Sequence, residues 1–324
     1  MTDYVLNGAS IAEPYHNVVT ARTDLATLLR GLALLDADSA TLPSLRMNVD
    51  PWLQPIVRSD VEASISLGGL VHGFYGTPDH DLAAFFDALN RSVPAEATLT
   101  DVAVEAILRL SPDAPAPGYE QTFPSVLAAG IDALICAAMT FILIGLRRSD
   151  LWRFDAMGFL SGANVYLFDH VAEPSHAEAI RLRRLAGLRD ELAPRSFWSM
   201  RARVFPSLLF GLDVENQIEK FSTTLLPLLF KRLAELDERS TRWRQSKADR
   251  FPDGKTEISG ETARTMKRYA DDRRFRGHDG LMRTFEDHMW IDRSHRIHLI
   301  RNTTQKTVEI GYVGRHLPTM EYPT

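Results

Sequence analysis

Leu25, Leu28, Leu29, Leu32 and Leu35 recur every three or four positions, so residues 21–37 are expected to form a helix with one apolar stripe. Leu82, Phe85, Phe86 and Leu89 predict another over 79–91, and Leu225, Leu229, Leu233 and Leu236 a third over 223–243. Pro227 falls in the first turn of that third helix, where its missing N–H does least harm. Pro174-Ser175 opens a further helix to about Asp190, whose Arg181, Arg183, Arg184 and Arg189 suit a solvated face. Strand patterns are fewer: Tyr4-Val5-Leu6, the alternating stretch 45–49, and 163–171 with its β-branched and aromatic residues. Phe205-Pro206 is expected to begin a helical unit, and the proline-rich stretch 111–117 a loop, because proline cannot donate to a ladder.

Between residues 126 and 146 polarity almost disappears (VLAAGIDALICAAMTFILIGL), and Arg147-Arg148 follows. The run is long enough to cross a bilayer and carries a basic flank. Against a span stand Gly130, Gly145 and Asp132, since one aspartate at membrane depth costs roughly 3 kcal/mol. A buried central helix shows the same all-round apolarity and is the expected reading, with a membrane span as the alternative.

Residues 245–259 are polar and contain Pro252-Asp253-Gly254, which reads as a linker. A short basic helix is expected from Ser259 to Tyr269. Residues 295–301 and 307–313 are strand-like and separated by Asn302-Thr303-Thr304-Gln305, a hairpin signature. Alternation would turn Ile297 and Leu299 to one face and Arg296 and His298 to the other. The expected fold class is α+β. A mainly helical body with a few strands, 1–245, would precede a small α+β module with an antiparallel hairpin, 255–324.

Composition sharpens this division. A chain of 324 residues suits two domains, and 45% hydrophobic with 24% charged residues is ordinary for a soluble protein. The single cysteine, Cys136, excludes a disulfide framework within the chain and a Cys-rich zinc site. The polar start has no secretory pattern, so a cytoplasmic protein is expected. Charge is split: residues 242–324 hold 17 Lys+Arg and 12 Asp+Glu, net +5, against 20 and 30, net −10, in the rest. Five of the ten histidines (His278, His288, His295, His298, His316) lie in the basic part. A basic face attracts polyanions, which makes RNA or DNA the expected partner.

The residues that could carry chemistry there are His288, Arg296, His298, Arg301, Tyr312, Arg315 and His316. Arginine neutralises a scissile phosphate while histidine moves the 2′-hydroxyl or leaving-group proton, so the set suits metal-independent RNA cleavage. The same residues on an amphipathic sheet equally suit a purely structural or binding role. A metal at His288, His295 and His298 is disfavoured, because positions 295 and 298 of a strand face opposite sides. No cofactor is expected: phosphate-loop and dinucleotide glycine motifs are absent, as are Gly-x-Ser-x-Gly and His-Glu-x-x-His. Cys136 reads as packed, Asp271-Asp272 and Glu286-Asp287 as solvated pairs, and His176 near Asp169 and His170 as polar groups of a helix start.

The order R-I-H-L-I-R, turn, V-E-I-G-Y-V-G-R-H-L resembles the C-terminal sheet of RelE/ParE-type toxins, small basic proteins that cut mRNA on the ribosome or block gyrase. The resemblance covers about 40 residues and implies that Arg296, Arg301, Tyr312 and Arg315 act on RNA. It lacks the Lys-rich central strand of those toxins, which also stand alone without a large body. V-A-E-P-S-H-A, F-P-S-L-L-F-G-L-D-V-E-N-Q-I and F-E-D-H, taken with the hairpin, resemble a family of bacterial proteins without an assigned activity. The genes such proteins accompany suggest genome defence. The expected function is therefore a defence or toxin-type protein acting on nucleic acid through its C-terminal module. The alternative is a non-enzymatic subunit that docks a protein partner in a defence complex.

Overall fold

Tyr4-Val5-Leu6 is apolar throughout because it is covered on both faces. In strand β1 (Tyr4–Leu6), Tyr4 and Leu6 enter one core and Val5 another. That is the mark of a parallel strand buried inside a layered α/β sheet. The computed structural model describes residues 3–37, 43–50, 52–58, 64–92, 94–97 and 99–321. The fold is α+β, and the chain divides into two units, Met1–Arg183 and Arg184–Thr324.

In the N-terminal unit, β1 leads into α1 (Gly8–Ile11) and α2 (Val18–Asp36), then β2 (Ser44–Arg46). A small hairpin, β3 (Pro55–Val57) and β4 (Ile65–Ser66), precedes α3 (Leu67–His72), α4 (His80–Ala88) and β5 (Asn90–Ser92). Then come α5 (Asp101–Leu108), β6 (Ala114–Pro115), α6 (Phe123–Ala129), α7 (Ile131–Met139) and β7 (Ile142–Ile144). The antiparallel pair β8 (Ala156–Ser161) and β9 (Asn164–Val171) follows, and α8 (Pro174–Asp190) carries the division between units. Seven strands form one sheet in the order β5-β2-β1-β7-β9-β8-β6. The first five are mutually parallel, and β8 and β6 add antiparallel at the edge. In chain order the parallel strands run 3-2-1-4-5, the doubly wound arrangement, and the winding reverses between β1 and β7.

The apolar run 126–146 is not one helix. Gly130, at φ +57° and ψ −126°, breaks it, because only glycine adopts that conformation without strain. Thr140 then ends α7 in the left-handed region, and Ile142–Ile144 form β7. Helices against one sheet face and a strand buried on both faces are equally apolar, so polarity alone could not separate them. Among the described residues no single helix is long and apolar enough to cross a membrane. The segments Glu120–Ala129 and Ile131–Met139 pass that test only together and are bent by 112°.

The C-terminal unit begins well before the expected module. It contains α9 (Pro194–Val204), β10 (Leu208–Phe210), α10 (Val214–Glu219), α11 (Leu226–Gln245), β11 (Ile258–Gly260) and α12 (Ala263–Tyr269). The hairpin β12 (Arg274–Arg276) and β13 (Met282–Thr284) follows, then β14 (Asp287–Trp290), β15 (His295–Asn302) and β16 (Thr307–Arg315). The main sheet is β10-β16-β15-β14-β11, with β10 parallel to β16 and the rest antiparallel. Phe197, Phe205, Leu229, Leu233 and Trp243 share one core with Ile297, Leu299, Val308 and Ile310. Residues 184–245 therefore belong with the tail and not with the body, because the sheet's apolar face needs a helical layer to bury it. The expected linker is packed as well: Phe251 meets Trp243 edge-on at 5.1 Å, and Arg239 donates to the carbonyls of Pro252 and Thr256. Phe205-Pro206 closes α9 and leads into β10 instead of starting a helix.

Candidate functional site

The hairpin forms as its alternation predicts. Arg296 and His298 share one face of β15, while Ile297 and Leu299 point into the helical-side core. His288 on β14 stands opposite His298 with ring centroids 5.5 Å apart, and Tyr312 on β16 meets His298 edge-on at 5.8 Å. His316 follows β16, its N–H donating to the Ser294 carbonyl at 2.8 Å. Five of the seven expected residues thus converge. Arg301 does not: it is on the other face, ion-paired with Asp287 at 2.8 Å and near Phe251. Arg315 is exposed at the end of β16, its carbonyl accepting from the Tyr312 hydroxyl.

The face on which the five converge is closed. Phe285, fully buried, lies over Gly311, where an added Cβ would fall 2.5 Å from its ring. Phe275 of the β12–β13 hairpin stacks on Tyr312 at 4.9 Å. Arg273, 0% exposed, holds Glu261 through Nε at 2.9 Å and Nη2 at 2.6 Å and donates to the carbonyls of Tyr269 and Pro318. Under this cover His298 is 2% exposed. Burial drives its pKa down to about 3, with its Nδ1 3.2 Å from the Phe285 carbonyl oxygen. Burial also lowers His288 and His316 and raises Tyr312. A histidine kept neutral and covered reaches no phosphate unless the cover opens. Gly311→Ala is expected to cost roughly 1–3 kcal/mol, because Phe285 has nowhere to move. A thermal melt of the variant indistinguishable from the parent would contradict this packing.

His295 faces away from the cluster, with Asp292 3.0 Å from its Nδ1 and its ring edge-on to Phe221. In the N-terminal unit His170 and His176 do meet, with centroids 5.7 Å apart. His170 is fully buried, its Nδ1 2.6 Å from the Phe154 carbonyl oxygen, and burial pushes it down to about 4. Arg183 ties Asp155 to Asp169 beside them.

A second candidate site was missed from sequence. It lies at the carboxyl ends of the parallel strands, where the winding reverses. Asn7, immediately after β1, caps α1 by accepting from the Ala9 N–H at 3.1 Å, while its buried Nδ2 has no partner among the described residues. The Gly8 N–H donates to Asp132 Oδ2 at 2.8 Å, and Asn48 Nδ2 donates to Asp132 Oδ1 at 2.7 Å. Asn48 in turn accepts from the Ala95 N–H, so the loops after β1, β2 and β5 meet at the start of α7. Ser10 accepts from the Leu146 N–H at 3.2 Å, which adds the end of β7. Burial raises the Asp132 pKa against both of its hydrogen bonds. The signal for this site was a strand, a long helix and a strand within the first 49 residues, the start of a βαβ unit.

Redrawn at the observed division, the charge split widens. The C-terminal unit holds 26 Lys+Arg and 20 Asp+Glu, net +6, and the N-terminal unit 11 and 22, net −11. Comparison with protein-family models, with curated proteins and with solved structures finds no match.

Proposed function

We propose that the N-terminal unit binds a nucleotide-type small molecule at the carboxyl ends of β1 and β7. The observation that carries this is the strand order: open parallel sheets wound 3-2-1-4-5 bind ligands in the crevice where the winding reverses. The Asn7 side-chain amide at that point, without a partner among the described residues, supplies a donor in want of an acceptor. The mode differs from a glycine-rich phosphate loop. The amide that would take a phosphate, Gly8 N–H, already holds the Asp132 carboxylate, so recognition falls on uncharged groups of the ligand. Titration calorimetry of the full chain with a panel of nucleosides, mononucleotides and dinucleotides tests the reading. At least one should bind, and Asn7→Ala should weaken it at least about tenfold, the worth of one hydrogen bond to a buried partner. Absence of binding by every member at millimolar concentration would sink it.

A second reading concerns the C-terminal unit, which we propose binds nucleic acid without cutting it. Its support is the +6 charge and the exposed Arg264, Lys267, Arg268 and Arg274. Binding is favoured over cleavage because His298 is covered and neutral. Both readings suit a cytoplasmic protein, and the second suits the defence setting that the sequence resemblance implies.

A further inference from the structure

The row of side chains beyond the closed cluster is different in kind. Trp290, Arg296 and Gly314 are in register across β14, β15 and β16. Trp290 is 45% exposed, unusual for a tryptophan on a strand, while Arg296 beneath it is 2% exposed. The Arg296 guanidinium carbon lies 3.1 Å from the indole centroid, and its Nη1 is fixed by the carbonyls of Asp292 and His295 at 2.9 Å. The indole therefore rests on a rigid cation and cannot fold down into the sheet. At the other end of the row, the Tyr312 ring bends over Gly314, where an added Cβ would lie 2.4 Å from its hydroxyl, to donate to the Arg315 carbonyl. Phe275 stacks on that ring with planes 20° apart. Trp290, open and backed by the buried Arg296, and the half-buried Tyr312 and Phe275 thus form a strip of flat groups along the ends of the strands. Arg293 in the β14–β15 turn and Arg315 flank it, both exposed and without an ion pair among the described residues.

We infer that this strip is a stacking platform for bases of single-stranded nucleic acid, with Arg293 and Arg315 on the adjoining phosphates. This rests on the nucleic-acid reading of the C-terminal unit. Aromatic planes stack on any base, whereas a duplex keeps its base faces occupied, so single strands are the class that fits. The net charge of +6 on the unit supplies the attraction to the backbone.

The test is fluorescence anisotropy of the full chain with labelled dT20 and with the same strand annealed to dA20. The single strand should bind tighter than the duplex. Trp290→Ala should weaken dT20 binding roughly 5- to 150-fold without changing its salt dependence, and Trp290→Phe should retain most of it. Arg293→Ala with Arg315→Ala should instead flatten the salt dependence. If dT20 binds and Trp290→Ala leaves the affinity unchanged, or if the duplex binds better, the platform is overturned while the nucleic-acid reading stands. If neither probe binds, both fall. Because Trp290 is an exposed side chain, an unchanged circular dichroism spectrum in Trp290→Ala ties any loss to stacking.

Discussion

Arg273→Ala should be the most damaging single change in the C-terminal unit, lowering stability by roughly 3–5 kcal/mol. Arg273 is the largest charged group fully removed from water, and its hydrogen bonds run across the cover: Glu261 on one side, the Tyr269 and Pro318 carbonyls on others. Removing it leaves Glu261, whose side chain is 7% exposed, as an uncompensated buried carboxylate near His288. A buried pair is not itself a large source of stability, since two desolvation costs oppose the attraction. Hence Arg273→Met combined with Glu261→Met should lose much less than Arg273→Ala alone. Denaturant unfolding, with hydrogen exchange of the β14–β16 amides to locate the loss, checks this. A single-variant cost below about 1 kcal/mol would show that water reaches Glu261 and that the face is not sealed.

Acid should destabilise the protein well above the pH at which ordinary carboxylates protonate. His298 and His170, ordinarily near 6.5, are held by burial at about 3 and about 4 in the folded chain. Below pH 6.5 the unfolded chain takes up these protons and the folded chain does not. Stability therefore falls with falling pH, by about 1.4 kcal/mol per unit for each histidine, until the folded values are reached. His176, His288 and His316 are lowered too and add in the same direction. Asp237 opposes them: burial lifts it to about 6 despite Arg189 at 2.8 Å, so it regains stability between about 6 and 3.8. Asp132, also raised by burial, opposes them as well, and two carboxylates against five histidines leave a net loss. Unfolding free energies between pH 7 and 4.5 should show it, and His298→Leu should reduce the slope by about one proton. A flat profile would mean that these histidines already meet water.

The hairpin was legible because its alternation is local: Ile297 and Leu299 against Arg296 and His298 need only the period of a strand. Five of the seven candidate residues converge for the same reason. What covers them was not legible, because Phe285, Phe275 and Arg273 reach the sheet through turns that no periodicity announces. The apolar stretch 126–146 misled in the opposite way, since two helices and a strand can share one composition once each is buried.

The sequence by itself determined the main helices, the strands at Tyr4–Leu6 and Asn164–Val171, the hairpin and the sign of the charge split. These depend on spacing along the chain and on counts. Only the tertiary structure decided where the units divide, that five parallel strands reverse their winding between β1 and β7, and that His298 is sealed while Trp290 is open. Those follow from which surfaces bury one another, and burial is a property of contacts between residues far apart in sequence.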